Sequence, residues 1–273
     1  MNVGRYGYGA LSRLGMAARL DRPDYRHRSA VLMYHSVRPA GECRPGTSDV
    51  AVEDFRSHLE YLTGNFEVVD LPDVRLNDGR GVGRKHVALT FDDGYRDFYT
   101  EVRPLLHEYE VPATVFVCPA LLDNACRREQ VMNTGHMFDT LTSDQVLELA
   151  DDPLVTVGNH TRTHHNVGAH HDRDIIREEV VGAQQDLAER FGIDCDRFCY
   201  PNGGFNDTSV SIVRETHDIA TMNESRRPLL GSEDPMLVPR VDAGLPFRRW
   251  RWHMSDLNGE LMLLARLARF DVS

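Results

Sequence analysis

A parallel α/β fold, a sheet or barrel in which strands alternate with helices, is predicted by two observations. Seven short apolar runs recur along the chain with helical patterns between them, as successive βαβ units require. The polar residues with chemical potential fall just after such runs, at the strand ends where parallel barrels carry their sites. The runs are Ala30–Tyr34, Phe66–Val69, Val87–Phe91, Thr114–Val117, Leu154–Val157, Phe198–Tyr200 and Ile219–Met222.

The helices are read from spacing and caps. Residues Glu53 to Thr63 place Phe55, Leu59 and Leu62 on one face, the 3.6-residue period of a helix packed on a core. Thr142 and Gln145 form a capping box that opens a helix through Ala150, each side chain serving the other's backbone N–H. From Asp174 to Phe191 the residues Ile175, Ile176, Val180, Ala183, Leu187 and Phe191 keep helical spacing, and Gly192 is the stop. Residues 256 to 270 read as a C-terminal helix with Leu257, Leu261, Leu264 and Leu267 on one side.

The chain has 273 residues, enough for one substantial α/β domain, and a formal charge of −11, which argues against nucleic acid as the main partner. Its five cysteines are odd in number and contain no C-x-x-C pair. That implies no disulfide framework, and reduced thiols in a cytoplasm are the simplest expectation. The first 20 residues lack a continuous apolar core of signal-peptide length, and no run of 18 apolar residues occurs anywhere. Residues 1 to 28 are basic. With the apolar stripe of 256 to 270 they have the makings of a peripheral contact with an anionic membrane surface. A helix docked on the barrel is the simpler account of the same stripe.

The chemistry gathers at two strand ends. Asp92 and Asp93 leave the run Val87–Phe91 and are followed by Gly94. Neighbouring side chains leaving a strand diverge, so one acid can hold a cation while the other acts as a base. Two bare carboxylates this close repel and call for positive charge nearby. His160 and His164 follow the run Leu154–Val157. With one carboxylate they make a three-ligand metal site that keeps positions open for water and substrate. Each pattern alone is weak, since Asp92 and Asp93 could simply cap a helix.

Together these residues resemble the polysaccharide deacetylases with a NodB-type domain. Thr90 to Gly94 matches that family's T-F-D-D-G motif, and His160-Thr161-Arg162-Thr163-His164 matches its H-[ST]-x-x-H motif. The resemblance covers roughly residues 29 to 245. It implies a distorted (β/α)7 barrel that removes an N-acetyl group from an amino sugar. It also implies that Asp92 is the general base and that Asp93, His160 and His164 hold a divalent metal. Zinc suits such a ligand set, and cobalt, nickel or iron can also occupy one. The division expected is an N-terminal extension to residue 28, a catalytic domain over 29–250 and a helical extension over 251–273.

Two further motifs place the chain within the family. Many members end with L-x-x-H, whose histidine is the general acid. Here Leu32-Met33-Tyr34-His35 fits that pattern near the start, whereas His253 stands in an Arg/Trp-rich stretch without it. This resembles the permuted branch that includes poly-N-acetylglucosamine deacetylases, and it implies His35 as the acid. The family's R-P-P-Y-G motif appears as Cys199-Tyr200-Pro201-Asn202-Gly203. The backbone N–H of Asn202 is the oxyanion candidate, in a substrate-facing segment with Tyr200 and Pro201. Cys199 stands where the family's arginine orients the base. Arg197, two residues away on the same strand face, is the candidate substitute, and the question stays open at this point.

Plainer roles compete for several of these residues. His35 could be a satisfied strand-end histidine. His165, His170 and His171 read as solvated loop residues, Cys199 as a packed thiol, and Trp250 and Trp252 as residues buried against the C-terminal helix rather than sugar platforms. At the level of function, a hydrolase of another amide or cyclic imide fits the same metal site. A non-catalytic carbohydrate-binding homologue would explain the missing motif arginine.

Overall fold

The computed structural model describes residues 28–44, 47–74, 85–124, 139–223, 227–231 and 233–261. Its strands are β1 (Ala30–Tyr34), β2 (Val37–Arg38), β3 (Val50–Ala51), β4 (Phe66–Val68), β5 (Lys85–Phe91), β6 (Ala113–Val117), β7 (Val155–Asn159), β8 (Arg197–Cys199), β9 (Ile219–Met222), β10 (Val238–Pro239) and β11 (Val241–Asp242). The main sheet runs β10-β9-β8-β7-β6-β5-β1-β11 with every pairing parallel.

One residue, Arg240, separates β10 from β11. β10 pairs with β9 and β11 pairs with β1, so Val238–Asp242 joins the two edges of the sheet. The result is a barrel with seven positions around its ring, six strands and this seam. The expected (β/α)7 architecture is therefore present, with one change of roster. The run Phe66–Val69 supplies only β4, a short strand beside the first half of β5. The seventh position belongs to the seam, which Pro239 and Arg240 interrupt too early to read as an apolar run.

Alternation along β5 sorts the interior from the helix-covered outside. Val87, Leu89 and Phe91 join the large outer cluster with Phe55, Leu59 and Leu62. Ala88 faces inward with Val31, Phe116, Cys199 and Val238. Gly158 on β7 gives Phe116 its space inside, since a Cβ there would lie 2.5 Å from the Phe116 ring. Phe116 in turn forms part of the floor under His160, with ring centroids 6.3 Å apart.

The helices are α1 (Val52–Asn65), α2 (Arg103–Tyr109), α3 (Ser143–Ala150), α4 (Arg173–Phe191), α5 (Asp207–Thr216) and α6 (Phe247–His253). α1 buries Phe55, Leu59 and Leu62 as its spacing requires, together with His58. The Thr142 capping box opens α3. α4 starts at the Asp172 cap and stops at Gly192 in a left-handed conformation with φ 68°, which glycine adopts without a Cβ penalty. Ile175 is the exception on α4: it is 41% exposed, because the buried stripe begins one residue later at Ile176. Trp250 and Trp252 are buried, and the Trp250 indole donates to His58 Nε2 at 3.2 Å, fastening α6 to α1. Residues 256–261 are helical. The rest of the expected C-terminal helix, and residues 1–27 of the N-terminal extension, lie outside the described residues. No described helix is long and apolar enough to cross a membrane.

Candidate active site

Asp92 and Asp93 separate as the chain leaves β5. Asp93 has φ 75° and Gly94 φ 59°, so the backbone turns sharply within two residues. Aspartate tolerates this left-handed region better than most side chains. The turn is held by Leu141 N–H donating to Gly94 O at 2.9 Å. Asp92 is thereby aimed at the seam and Asp93 at the loop after β7.

That loop is built on strained but well-held backbone. Thr161 and His164 both have φ 64°, uncommon outside glycine and most unusual for the β-branched Thr161, at a cost of order 1–3 kcal/mol each. Compensation is local. Thr161 N–H donates to Asn159 Oδ1 at 2.9 Å, and His165 N–H donates to Thr161 Oγ1 at 2.9 Å. Thr163 donates its N–H and its hydroxyl to Glu179 of α4, at 2.9 and 2.7 Å. The strain turns His160 and His164 toward one carboxylate, with both Nε2 atoms 3.4 and 3.2 Å from Asp93 Oδ1.

Asp93, His160 and His164 are all buried, and their donor atoms lie within 4.8 Å of one another. Ligand atoms around a tetrahedral ion held at about 2.0–2.1 Å lie roughly 3.3–3.4 Å apart, so the spacing fits a divalent cation. His160 Nδ1 is 2.8 Å from Cys199 O. A carbonyl only accepts, so a proton sits on Nδ1, and Nε2, which faces Asp93, is the nitrogen that a cation would take in place of a proton. Burial disfavours a charge on His160, yet the fields of Cys199, Asp93 and Asp92 outweigh it and draw its pKa well above the usual imidazole range. The pocket thus favours positive charge. A second donor group, Asp92, His160 and Cys199, also lies close together. It shares His160 and already contains the Arg240 guanidinium, so it fits a cation poorly.

Arg240 is the functional residue that sequence reading did not find. It is 1% exposed and grips Asp92 with both arms, Nη1 to Oδ1 at 2.6 Å and Nη2 to Oδ2 at 2.7 Å. It also donates to Thr90 Oγ1 at 3.1 Å and lies 3.1 Å from Cys199 Sγ. Burial alone would raise the Asp92 pKa. The charge and hydrogen bonds of Arg240 more than offset this, with help from His160 and His35, and keep it below the ordinary carboxylate range. The signal that could have found it is a cation set between Val238-Pro239 and Val241.

The Arg197 expectation is corrected on the same evidence. Its side chain shares the inward face but at the wrong height, as a two-residue offset along a strand dictates. Its guanidinium bonds Asp70 at 2.6 Å, Asp196 at 3.1 Å and Thr114 at 3.3 Å, toward the opposite end of the barrel. An arginine thus lies against Asp92 although Cys199 occupies the motif position, so the missing motif arginine no longer favours a non-catalytic binding protein.

His35 follows β1, which lies beside β5 in register, Tyr34 opposite Phe91. Its side chain is 28% exposed and its Nε2 is 4.0 Å from Asp92 Oδ2. His253 rides on α6, outside the barrel. In the segment after β8, Asn202 is exposed and left-handed at φ 55°. The turn is closed by Gly203 and Gly204 N–H, which donate to Tyr200 O and Pro201 O at 2.9 and 3.1 Å. Tyr200 faces outward, away from the donor groups. It and Pro201 are both buried, and Tyr200 packs with Val167, Val180, Phe198 and Ile212 beneath α4 and α5. His165 and His170 stand on the loop after β7 with rings 4.3 Å apart and belong to neither donor group.

A family model described as polysaccharide deacetylase matches residues 79–217. That span holds Asp92, Asp93, His160 and His164 but neither His35 nor Arg240. The YxkH protein of Bacillus subtilis strain 168, which carries a polysaccharide deacetylase name, is 24% identical over 189 residues, 68% of this chain and 61% of its own length. The poly-beta-1,6-N-acetyl-D-glucosamine N-deacetylase of Escherichia coli K12 is 31% identical over 122 residues, 42% of this chain and 18% of its own length. The chain thus spans less than two thirds of either relative. IcaB from Ammonifex degensii has a similar structure, with a TM-score of 0.66 at 21% identity over 84% of this chain and 98% of that one.

Proposed function

Since the chain belongs to the polysaccharide deacetylase family, we propose that it removes N-acetyl groups from an amino sugar in a glycan, glycolipid or glycoside, with Asp92 as base and His35 as acid. The observation that carries this reading is the divergence of two adjacent carboxylates. Asp93 closes a donor triad with His160 and His164, while Asp92 is held between Arg240 and His35.

Amide hydrolysis must overcome a poor nucleophile and a poor leaving group. A divalent cation held by Asp93, His160 and His164 would activate water and polarise the acetyl carbonyl. Asp92 takes the proton released as the water oxygen bonds to the carbonyl carbon. Arg240 keeps that carboxylate ionised and fixes both its oxygens in direction. The Asn202 N–H donates to the carbonyl oxygen as its charge grows, a contribution worth about 2.7–4 kcal/mol in comparable sites. His35 delivers a proton to the sugar nitrogen as the carbon–nitrogen bond breaks, leaving acetate and a free amine. Each proton transfer is typically worth about 10²–10⁴-fold.

The test is acetate release by metal-replete protein from a panel of N-acetylated sugars. The name of the E. coli relative makes a β-1,6-linked N-acetylglucosamine oligosaccharide the first member. Release of acetate from at least one member is expected. Failure on every sugar by protein carrying a stoichiometric cation would overturn the amino-sugar reading and leave another amide or imide as substrate.

A further inference from the structure

His35 differs from His160 in how its ring is held. His160 is oriented through its Nδ1 by Cys199 O. His35 Nδ1 is buried, and no described protein group bonds it. A general acid whose second nitrogen is held by a protein acceptor is aimed by that bond. Where no such bond exists, the aim depends on the backbone that carries the ring.

That backbone leaves the sheet at His35, after the last ladder bond from Asp92 N–H to Tyr34 O at 3.0 Å. The next three residues all converge on one carboxylate, that of Asp97. Ser36 Oγ–H donates to Oδ2 at 2.5 Å, Val37 N–H donates to Oδ1 at 3.3 Å, and Arg38 Nε lies 3.3 Å from Oδ2. Arg38 Nε also donates to Ser36 Oγ at 2.7 Å, and Val50 N–H donates to Ser36 O at 3.0 Å. Asp97 stands four residues beyond Asp93, where the chain enters the π-helical turn Phe98–Val102. Such turns often mark functional sites.

We infer that Asp97 is a positioning residue for His35: it clamps residues 36–38 to the loop that carries Asp92 and Asp93 and so sets the distance between acid and base. The Asp97 side chain is only 10% exposed. Burial pushes its pKa up to about 6 against the opposing effects of Ser36, Arg38 and the Val37 N–H. A loop that merely needed a polar turn residue would not require a buried acid. The inference rests on the reading of His35 as proton donor.

The test is a double-mutant cycle in the full-length, metal-loaded protein, run on whichever sugar the acetate panel identifies. Asp97→Asn should lower kcat by up to about 100-fold, the cost of misplacing a reacting group by roughly an ångström, with KM and metal content unchanged. Ser36→Ala removes one of the three contacts and should lower kcat less. In a His35→Gln background, Asp97→Asn should cost nothing more. An equal loss in both backgrounds would overturn the inference, since Asp97 would then act independently of His35. A crystal structure of metal-loaded Asp97→Asn supplies a readout without turnover. The His35 ring should shift relative to Asp92 while Asp93, His160 and His164 stay in place, and an unmoved ring overturns the positioning role. Wild-type turnover by His35→Gln alone would refute the acid assignment, which the structural comparison does not depend on.

Discussion

The two halves of the candidate site are assembled in opposite ways. On the metal side, Asp93, His160 and His164 are turned toward one another chiefly by the backbone beside them, with Cys199 O holding the His160 ring from the next strand. Left-handed residues at Asp93, Gly94, Thr161 and His164 turn the backbone, Asn159 and Thr161 hold it within a few residues, and Glu179 of α4 holds Thr163. On the seam side, Asp92 meets Arg240, 148 residues away, and His35 from the first strand. These contacts exist because Val238–Asp242 bridges β9 to β1 and because β1 lies beside β5. A locally built half should fail locally, by losing its ion. The half built by barrel closure should fail by losing proton transfer and stability together.

The largest effect should come from breaking the metal side. His164→Ala removes one of three protein ligands and should empty the site, taking activity with it while the fold persists. Mass spectrometry of metals and thermal melting test this, and occupancy like that of wild type would refute the ligand assignment.

Next in size is Asp92→Asn, on the seam side but closest to the metal. It should retain the cation and lose turnover by about 10²–10⁴-fold, as expected for a lost general base. Near-normal acetate release would show that proton transfer does not pass through Asp92.

Arg240→Met tests the seam itself. It strands a buried carboxylate, a change that typically costs about 3–5 kcal/mol, and it should cut turnover without emptying the metal site. Arg240→Lys should recover little, since an ammonium cannot reproduce the two-armed grip. Urea unfolding with parallel metal analysis separates these effects. Loss of the metal together with normal stability would mean that the two halves are not built as described.

The smallest effect sharpens the comparison, because one neutral histidine supports each half. His58 accepts from Trp250 on the seam side, and His217 Nε2 faces the Asn159 side-chain amide at 3.1 Å on the metal side. Burial lowers both pKa values to about 4. Each base is therefore harder to protonate in the folded state than in the unfolded chain, where it titrates near about 6.5. Unfolding takes up protons in that window, so stability should decline as pH falls from about 6.5 toward 4. The slope should approach about 1.4 kcal/mol per pH unit for each histidine. Chemical denaturation between pH 7 and 5 measures it. Asp97, with its pKa raised to about 6, titrates in the opposite sense, so the profile is read in Asp97→Asn protein, where a flat line would mean that neither imidazole is held neutral.

Much of this molecule was legible before its structure because the relevant physics is short-ranged. Apolar runs of three to five residues marked six of the seven ring positions. The Thr142 capping box and Gly192 set helix ends by contacts within a turn. The candidate ligand motifs could be read because each is a short run, Asp92-Asp93-Gly94 or His160 to His164, whose turn is made by residues beside the donor. The misreadings share one cause. Strand parity placed Arg197, Cys199 and Asp92 on inward faces but carried no information about height in the barrel, so Arg197 was a candidate for a task performed by Arg240. Tyr200 was placed at the mouth by its motif, whereas α4 and α5 cover it.

The sequence by itself determined the parallel α/β class, the candidate donors for a divalent cation and the strand end bearing the candidate acid. Those properties depend on residue type and on spacing within a few residues. Only the tertiary structure decided which cation holds Asp92, how the barrel closes and what anchors the His35 backbone. These are contacts between segments far apart in sequence, 60 residues for Val37 and Asp97, 148 for Asp92 and Arg240, and the whole barrel between Leu32 and Val241. The one at Asp92 persists because burying an unpaired carboxylate costs far more than pairing it with the cation that the closed barrel brings within reach.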